Sequence, residues 1–324
     1  MKSNTCLGLI SFLLSLTCAL CLVGCSHGGI NDSNGISRIE DIDELDGVIA
    51  LNEVQYNGLD YKNYSAEAEY FGFDETLDDK STYKLMYKSD DCEVAGYICA
   101  PADYLKKKYP ILIYLRGGNR EYGMLSSVAV SQLSNFGFIV MATQYRGNDG
   151  GTGIEDFGGA DVQDVLSMID IAQQLQFASG KIYLFGASRG GLQTYCTLKE
   201  EHLAARDRIS AAVVMSGISD LEKIYNFRDW DMKVILKILV GDTPERLPDE
   251  YEKRSAVYWP EMINVPLLII HGRADMHVPV EQAETIYDLL RSSDKDVELR
   301  LYDAGHGDFP PESYLDAFGW LLSR

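Results

Sequence analysis

The stretch that decides the fold is Lys181-Ile-Tyr-Leu-Phe-Gly-Ala-Ser188-Arg-Gly-Gly-Leu192. An apolar run typical of a buried strand leads into a serine flanked by small residues, and helix-forming residues follow. The pattern G-x-S-x-G spans residues 186–190, and its place between a strand and a helix predicts a sharp, strained turn that holds the Ser188 hydroxyl clear of the sheet. Glycines suit both ends of the pattern because larger side chains would collide across the turn. The sequence therefore predicts a nucleophile elbow.

The rest of the 324-residue chain has the length and pattern of one large domain with appendages. Strand-like runs are predicted at 82–88, 93–100, 111–115, 138–142, 182–185, 211–215, 266–270 and 297–302. Helical spacing of apolar residues recurs between the later runs. This alternation predicts an α/β fold with a mainly parallel eight-stranded sheet and helices on both faces. A small helical insertion is expected at about 217–264, after the sixth strand.

Two loops after later strands complete a candidate catalytic set. A serine hydroxyl needs a base, and the base needs a third group that orients it. Asp275 follows the predicted strand at 266–270, and His306 follows the strand at 297–302. In hydrolases with a nucleophile elbow the chain order is serine, acid, histidine, with each residue at the carboxyl end of a strand. We therefore predict a triad of Ser188, Asp275 and His306.

Other residues of the same types are weaker candidates for these roles. The remaining histidines, which we interpret as structural, are His27, His202, His271 and His277. Asp303 and Asp308 compete with Asp275 for the role of the acid. Both lie too close to His306 in the sequence to match the usual geometry.

An oxyanion hole requires two donors directed at the developing negative charge. The backbone N–H of Arg189, directly after the serine, is the first predicted donor. The second is expected from the loop Arg116-Gly117-Gly118-Asn119, because glycine lets the backbone approach a substrate closely. Gly118 is our first choice and Gly117 our second, with the Tyr122 side chain as an alternative donor. A simple tight turn is the structural interpretation of the glycine pair.

Together these motifs resemble the catalytic domain of the prolyl oligopeptidase family of serine peptidases, within the α/β-hydrolase fold. The similarity runs from about residue 83 to the carboxyl terminus. Its motifs are Gln-Tyr-Arg-Gly at 144–147, Asp-Val-Gln-Asp-Val at 161–165, Gly-Ala-Ser-Arg-Gly-Gly at 186–191, the stretch 268–275 with Val278-Pro279, and Gly-His-Gly at 305–307. The resemblance implies hydrolysis of peptide bonds through an acyl-enzyme, with no metal or organic cofactor.

Two departures from the family pattern bear on the substrate. Many members carry His-Gly-Gly-Pro where this chain has Arg116-Gly117-Gly118-Asn119. Well-known peptidases of the family also place a β-propeller before the hydrolase domain, and residues 26–81 are too few to form one. The resemblance favours a small peptide substrate, whereas the lack of room for a propeller favours a carboxylesterase or an acetyl esterase acting on small or sugar esters. An alternative of another class is a non-catalytic binding protein on a hydrolase scaffold.

The amino-terminal segment predicts export to the bacterial cell envelope. Lys2 precedes an apolar run, and Leu22-Val23-Gly24-Cys25 resembles the end of a lipoprotein signal, in which the cysteine is acylated. The predicted divisions are a signal peptide at 1–24, a tether and amino-terminal segment at 25–69, and the catalytic domain at 70–324. We expect lipid attached at Cys25 to anchor the protein at a membrane surface. An ordinary secretory signal is the alternative.

The charge of the chain bears on its partners. The sequence contains 49 acidic and 29 basic residues, which gives a formal net charge of −20. A surface of this charge repels phosphate backbones, so we expect no nucleic-acid partner. The same charge serves solubility.

Overall fold

The apolar run before Ser188 forms a central strand of a nine-stranded sheet. The computed structural model describes residues 38–50 and 80–324. Their strands are β1 (Val48–Ala50), β2 (Lys80–Ser89), β3 (Cys92–Pro101), β4 (Ile111–Leu115), β5 (Ile139–Thr143), β6 (Ile182–Ala187), β7 (Ala211–Met215), β8 (Leu267–Gly272) and β9 (Val297–Tyr302). The spatial order is β1-β2-β3-β5-β4-β6-β7-β8-β9, with β4 to β9 parallel and the first three strands antiparallel at one edge. The eight predicted strands and the mainly parallel sheet are confirmed, and β1 is an additional short edge strand.

Helices cover both faces of the sheet, as the sequence predicts. They are α1 (Ser127–Leu133), α2 (Val162–Ala172), α3 (Arg189–Leu203), α4 (Leu221–Phe227), α5 (Trp230–Val240), α6 (Pro248–Lys253), α7 (Glu281–Ser292) and α8 (Pro311–Leu322). Leu184 of β6 packs in a core with α2 to α7, whereas Tyr183 and Phe185 pack in a second core with α1 and α8. Burial on both faces explains why the strand sequences are nearly continuous apolar runs.

The order of the strands determines where a site can form. β4 lies between β5 and β6, so the chain moves to one side after β4 and crosses to the other side before β6. In open parallel sheets, ligands bind at the carboxyl ends of the strands where the order reverses in this way. Leu115 at the end of β4 pairs with Gly186 of β6. The loop that follows β4 therefore lies beside the turn at Ser188.

The predicted helical insertion is present. The helices α4, α5 and α6 lie between β7 and β8, which are the sixth and seventh of the predicted strands. The side chain of Asp220 caps α4 by accepting a hydrogen bond from the Lys223 N–H at 2.9 Å. After α4, Arg228 donates a hydrogen bond to the His277 carbonyl at 3.3 Å. This contact joins the insertion to the loop after β8.

Residues 38–50 lie within the segment predicted as a tether, but they are folded against the domain. A 3₁₀ helix at Ile42–Glu44 precedes β1, and β1 pairs with β2. The side chains of Ile42 and Leu45 are buried in the larger core. The polar composition of the surrounding segment predicts little burial, because composition averages over many residues. Two apolar side chains are nevertheless enough to pack this short stretch against the core.

The other amino-terminal predictions fall outside this part of the chain. The signal peptide at 1–24, the lipid attachment site Cys25, His27 and the stretch 51–79 lie outside the described residues. Among the helices of residues 38–50 and 80–324, none combines the length and the apolar character that crossing a membrane requires.

The packing of α3 against β4 predicts a large difference between two glycines. A Cβ atom on Gly190 would lie 1.8 Å from the Leu115 carbonyl oxygen, whereas one on Gly319 of α8 would have no atom within 4 Å. We expect Gly190→Ala to lower the free energy of unfolding by about 2 kcal/mol or more, because backbone must move. Gly319→Ala should raise it by about 0.5–1 kcal/mol through helix propensity. Urea unfolding of both variants measures this, and equal stabilities would contradict the packing argument.

Candidate active site

The turn at Ser188 has the backbone conformation that the elbow requires. Ser188 has φ 55° and ψ −119°, outside the regions that non-glycine residues favour. Such a conformation costs roughly 1–3 kcal/mol and persists only where the surroundings impose it. Here the Ser188 N–H donates to the Met215 carbonyl, and its own carbonyl accepts from Gly191, both at 2.9 Å. A Cβ on Gly186 would lie 2.1 Å from the Gly190 oxygen, so glycine is required there.

The structure brings the three predicted triad residues together. The His306 Nε2 lies 2.9 Å from the Ser188 Oγ, and the His306 Nδ1 lies 2.8 Å from the Asp275 Oδ2. Since Asp275 can only accept when ionised, Nδ1 carries the proton that it donates, and Nε2 is free to accept from the serine. Each side chain lies on a loop directly after β6, β8 or β9. A hydroxyl, an imidazole and a carboxylate thus form one continuous hydrogen-bonded chain.

The carboxylate of Asp275 is buried and fully engaged. Its second oxygen, Oδ1, accepts hydrogen bonds from the N–H groups of His277 and Val278 at 2.9 and 2.8 Å. Burial by itself raises the pKa of the carboxyl, but the contacts with His306 and the two N–H groups outweigh it, so the pKa lies below its ordinary value. Asp275 is therefore ionised at neutral pH and able to stabilise a cationic imidazole.

The two competing aspartates occupy other positions. The Asp303 side chain is 97% exposed and lies 3.7 Å from Arg273, so it does not serve as the triad carboxylate. Asp308 accepts a hydrogen bond from the Gly305 N–H and so shapes the loop that carries His306. Neither contacts the imidazole in the manner of Asp275.

Two histidines interpreted as structural from the sequence contact the triad. His271 is fully buried and donates a hydrogen bond from Nε2 to the Val278 carbonyl at 2.8 Å. The same Nε2 lies 3.5 Å from the Asp275 Oδ2. The ring of His277 packs on that of His306, with 5.1 Å between ring centroids. Partial or full burial lowers the pKa of both His271 and His277, so both are neutral at neutral pH. Of the other histidines, His202 contacts Asn264, away from this site.

Of the two glycines proposed for the oxyanion hole, Gly117 lies next to the serine. A Cβ on Gly117 would lie 3.1 Å from the Ser188 Cβ and 3.7 Å from its Oγ. Gly118 has φ +69°, and a Cβ there would lie 2.1 Å from the Tyr122 carbonyl oxygen. Glycine is thus required at Gly118, whereas a side chain at Gly117 would crowd Ser188. The Tyr122 ring is 80% exposed. The assignment of Gly118, Gly117 and the Arg189 N–H as donors stays a prediction.

Sequence reasoning missed a buried charge cluster beneath this glycine loop. It consists of the guanidinium groups of Arg116 and Arg189 and the carboxylates of Glu155 and Asp161, all buried. Arg189 lies 2.8 Å from Glu155 and 2.5 Å from Asp161. The sequence did carry a signal, because Arg116 and Arg189 each lie between the end of a predicted strand and a glycine, where burial is expected. A buried arginine is almost always paired with an acidic group.

Comparison with known proteins decides the family. The model of the prolyl oligopeptidase family matches residues 125–321. The chain belongs to the prolyl oligopeptidase family. It is 33% identical over 231 residues to the uncharacterized peptidase YtmA of Bacillus subtilis, a match that covers 71% of this chain and 87% of YtmA. The resemblance inferred from the motifs is confirmed, and with it the assignment as a serine hydrolase.

Two larger proteins match over the same region. Dipeptidyl-peptidase 5 of Porphyromonas gingivalis is 26% identical over 277 residues, covering 74% of this chain and 37% of that enzyme. The crystal structure of Pyrococcus horikoshii acylaminoacyl peptidase superposes with a TM-score of 0.63 at 23% identity, covering 82% of this chain and 43% of that one. The α/β-hydrolase fold is therefore confirmed. The chain spans most of YtmA but less than half of these two proteins.

The geometry predicts which aspartate is the triad acid. Asp275→Asn should lower kcat by about 10³- to 10⁴-fold. The amide NH₂ can donate to Nδ1 and so favours the tautomer with its proton on Nε2, which cannot accept the serine proton. Asp303→Asn is the matched control, and we expect its kcat to stay within about twofold of wild type because its side chain is exposed and outside the triad. Steady-state hydrolysis of a p-nitrophenyl ester measures both. A comparable loss in the Asp303 variant would refute the assignment.

Proposed function

We propose that this protein is a serine peptidase that cleaves short peptides through an acyl-enzyme. The observation that carries the proposal is the continuous hydrogen-bonded chain from Ser188 through His306 to Asp275, with distances of 2.9 and 2.8 Å. This arrangement activates a hydroxyl that would otherwise be a poor nucleophile. It also defines where each proton goes.

In the first half of the reaction, the Ser188 Oγ attacks the carbonyl carbon while its proton passes to the His306 Nε2. Asp275, held by two backbone N–H groups, stabilises the imidazolium without taking the proton. The imidazolium then protonates the leaving amine as the bond from the carbonyl carbon to nitrogen breaks. An ester remains between the acyl group and Ser188.

In the second half, water attacks this ester with His306 again acting as the base, and the acid product leaves as Ser188 regains its proton. We assign the stabilisation of both tetrahedral intermediates to the backbone N–H groups of Arg189 and Gly118, with Gly117 as the second choice for the loop donor. Arg189 is the first residue of α3, so its N–H belongs to the electropositive end of that helix.

Membership of this peptidase family favours a peptide over an ester as the substrate. The relative YtmA, which is named a peptidase and matches over most of its length, favours it too. Selection of short peptides requires a part of the structure that restricts access to the site. We assign this role to the insertion of α4 to α6, because Arg228 joins it to the His277 carbonyl beside the triad.

A substrate comparison tests the proposal. We expect the purified protein to cleave peptidyl arylamides, and Ser188→Ala to lower that rate by about 10⁴-fold or more because the nucleophile is lost. Ser216→Ala is the matched control: Ser216 also ends a strand with positive φ and is buried, but it does not contact His306. Turnover of short acyl esters alone would identify an esterase. A folded wild-type protein whose Ser188 fails to react with a fluorophosphonate would instead indicate a binding protein.

We also propose that the protein is exported and anchored to a membrane surface of the cell envelope by lipid on Cys25. The apolar run at 7–23 and the Leu22-Val23-Gly24-Cys25 motif support this. Lipid chains on one cysteine tether a folded domain without spanning the bilayer.

The anchor predicts a difference between two neighbouring cysteines. Full-length protein expressed in a bacterial host should incorporate labelled palmitate and partition into detergent, and Cys25→Ser should abolish both because the acylated sulfur is gone. Cys21→Ser, four residues earlier in the apolar run, should retain both. Incorporation that persists in the Cys25 variant would contradict the assignment.

A further inference from the structure

The glycine loop after β4 is folded around the side chain of Arg116. The Arg116 Nη1 donates to the carbonyls of Gly117 and Tyr122 at 3.1 and 3.2 Å. Its Nη2 donates to the carbonyls of Arg120 and Gln144, both at 2.9 Å. One buried guanidinium therefore holds three carbonyls of the loop and ties them to the end of β5. Burial and the charge of Arg189 lower the pKa of Arg116 to about 10, so it remains charged at neutral pH.

Arg189 holds the same loop from the other side. Its Nη1 donates to the Gly118 carbonyl at 3.2 Å and to the Glu155 Oε2 at 2.8 Å, and its Nη2 lies 2.5 Å from the Asp161 Oδ2. Only 1% of the Arg189 side chain is exposed. A guanidinium can serve these three acceptors at once because its donors form a rigid planar fork.

Glu155 connects the two arginines to the loop. Its Oε2 accepts from Arg189 and lies 3.7 Å from Arg116, while its Oε1 accepts from the Arg120 N–H. With Asp161 the cluster contains two cations and two anions, so the buried charges are balanced. The Tyr145 ring packs against both guanidinium groups, with 5.2 and 4.7 Å from its centroid to their Cζ atoms. The cluster is thus balanced in charge and packed on an aromatic ring, although the buried Arg189 Nε has no hydrogen-bond partner.

These bonds fix the orientation of the loop peptides. In a trans peptide the N–H points opposite to the C=O. Because the Gly117 carbonyl faces the Arg116 guanidinium, the N–H of Gly118 in the same peptide faces away from it. The Gly118 carbonyl is likewise held by Arg189, so this residue is fixed at both of its peptides.

We propose that the Arg189 side chain is a positioning residue that holds the Gly117–Gly118 loop in register with Ser188. Arg189 carries the N–H directly after the nucleophile, and its side chain donates to the Gly118 carbonyl of the glycine loop. One residue thereby joins the two halves of the oxyanion hole, with Glu155 and Asp161 orienting its guanidinium. The proposal rests on the proposed function, because it assigns Arg189 to the acyl-transfer step at Ser188.

The test compares two arginines that each pair with two carboxylates, the buried Arg189 and the partly buried Arg208. Arg189→Lys keeps the charge but cannot reach Gly118, Glu155 and Asp161 together. Arg208→Lys is the matched control, since Arg208 pairs with Glu201 and Asp170 just before the amino end of β7, whereas Ser188 follows the carboxyl end of β6. We measure the rate constant for labelling of Ser188 by a fluorophosphonate, kcat and KM on a p-nitrophenyl ester, and unfolding in urea.

We expect Arg189→Lys to lower the labelling rate constant and kcat by about tenfold or more, with KM nearly unchanged. The misaligned donor matters mainly in the transition state, where negative charge develops on the phosphoryl or carbonyl oxygen. Arg208→Lys should also lose stability, because two ion pairs are weakened, and should keep both rates. Glu155→Gln provides a second variant should the first fail to fold, and it should lower the same two rates by about threefold or more.

Three results would overturn the inference. The first is an Arg189 variant, or a Glu155 variant, whose rates per folded molecule equal those of wild type. The second is an equal loss of rate in Arg208→Lys, which would reflect stability alone. The third is a wild-type Ser188 that does not label, which would overturn the proposed function as well. A wild-type protein that labels but cleaves esters only would overturn the peptidase assignment and leave the test of Arg189 intact.

Discussion

The close contact between the start of α3 and the end of β4 is the constraint on which the site depends. Ser188 has positive φ where the helix behind it approaches the sheet so closely that a Cβ on Gly190 would collide with the Leu115 carbonyl. Gly191 makes a similar approach to Gly217 after β7, where a Cβ would lie 2.5 Å from the Gly217 Cα. These contacts leave no room for a side chain, and they convert a costly backbone conformation into the one the packing enforces.

The same constraint places the groups that must act together. Since β4, β6, β8 and β9 are parallel, their following loops emerge at one edge of the sheet. Ser188, Asp275 and His306 come from three of those loops, and the glycine loop comes from the fourth. The Asp275 loop is fixed by N–H groups that bind the carboxylate, and the glycine loop by the buried guanidinium of Arg116.

Much of this could be predicted because the signals are local. Ser188 lies in a pattern that needs glycine on both sides, and Asp275 and His306 each follow an apolar run that only a buried strand explains. The order of the three along the chain then restricts the geometry. The packing of residues 38–50 is not predicted, for the opposite reason. Ile42 and Leu45 are two apolar residues in a polar segment, and their burial depends on a surface built elsewhere in the chain.

The sequence by itself determined the elbow, the parallel strands and the identity of the triad residues, because each follows from periodicity, chain order or the steric demands of one turn. Only the tertiary structure decided what supports them. Arg189 and Glu155 are 34 positions apart, and nothing in their local patterns indicates that they meet. A buried ion pair forms only when the fold brings two distant segments into contact in the interior. Whether a side chain is buried there depends on the assembled sheet and helices and not on either segment alone.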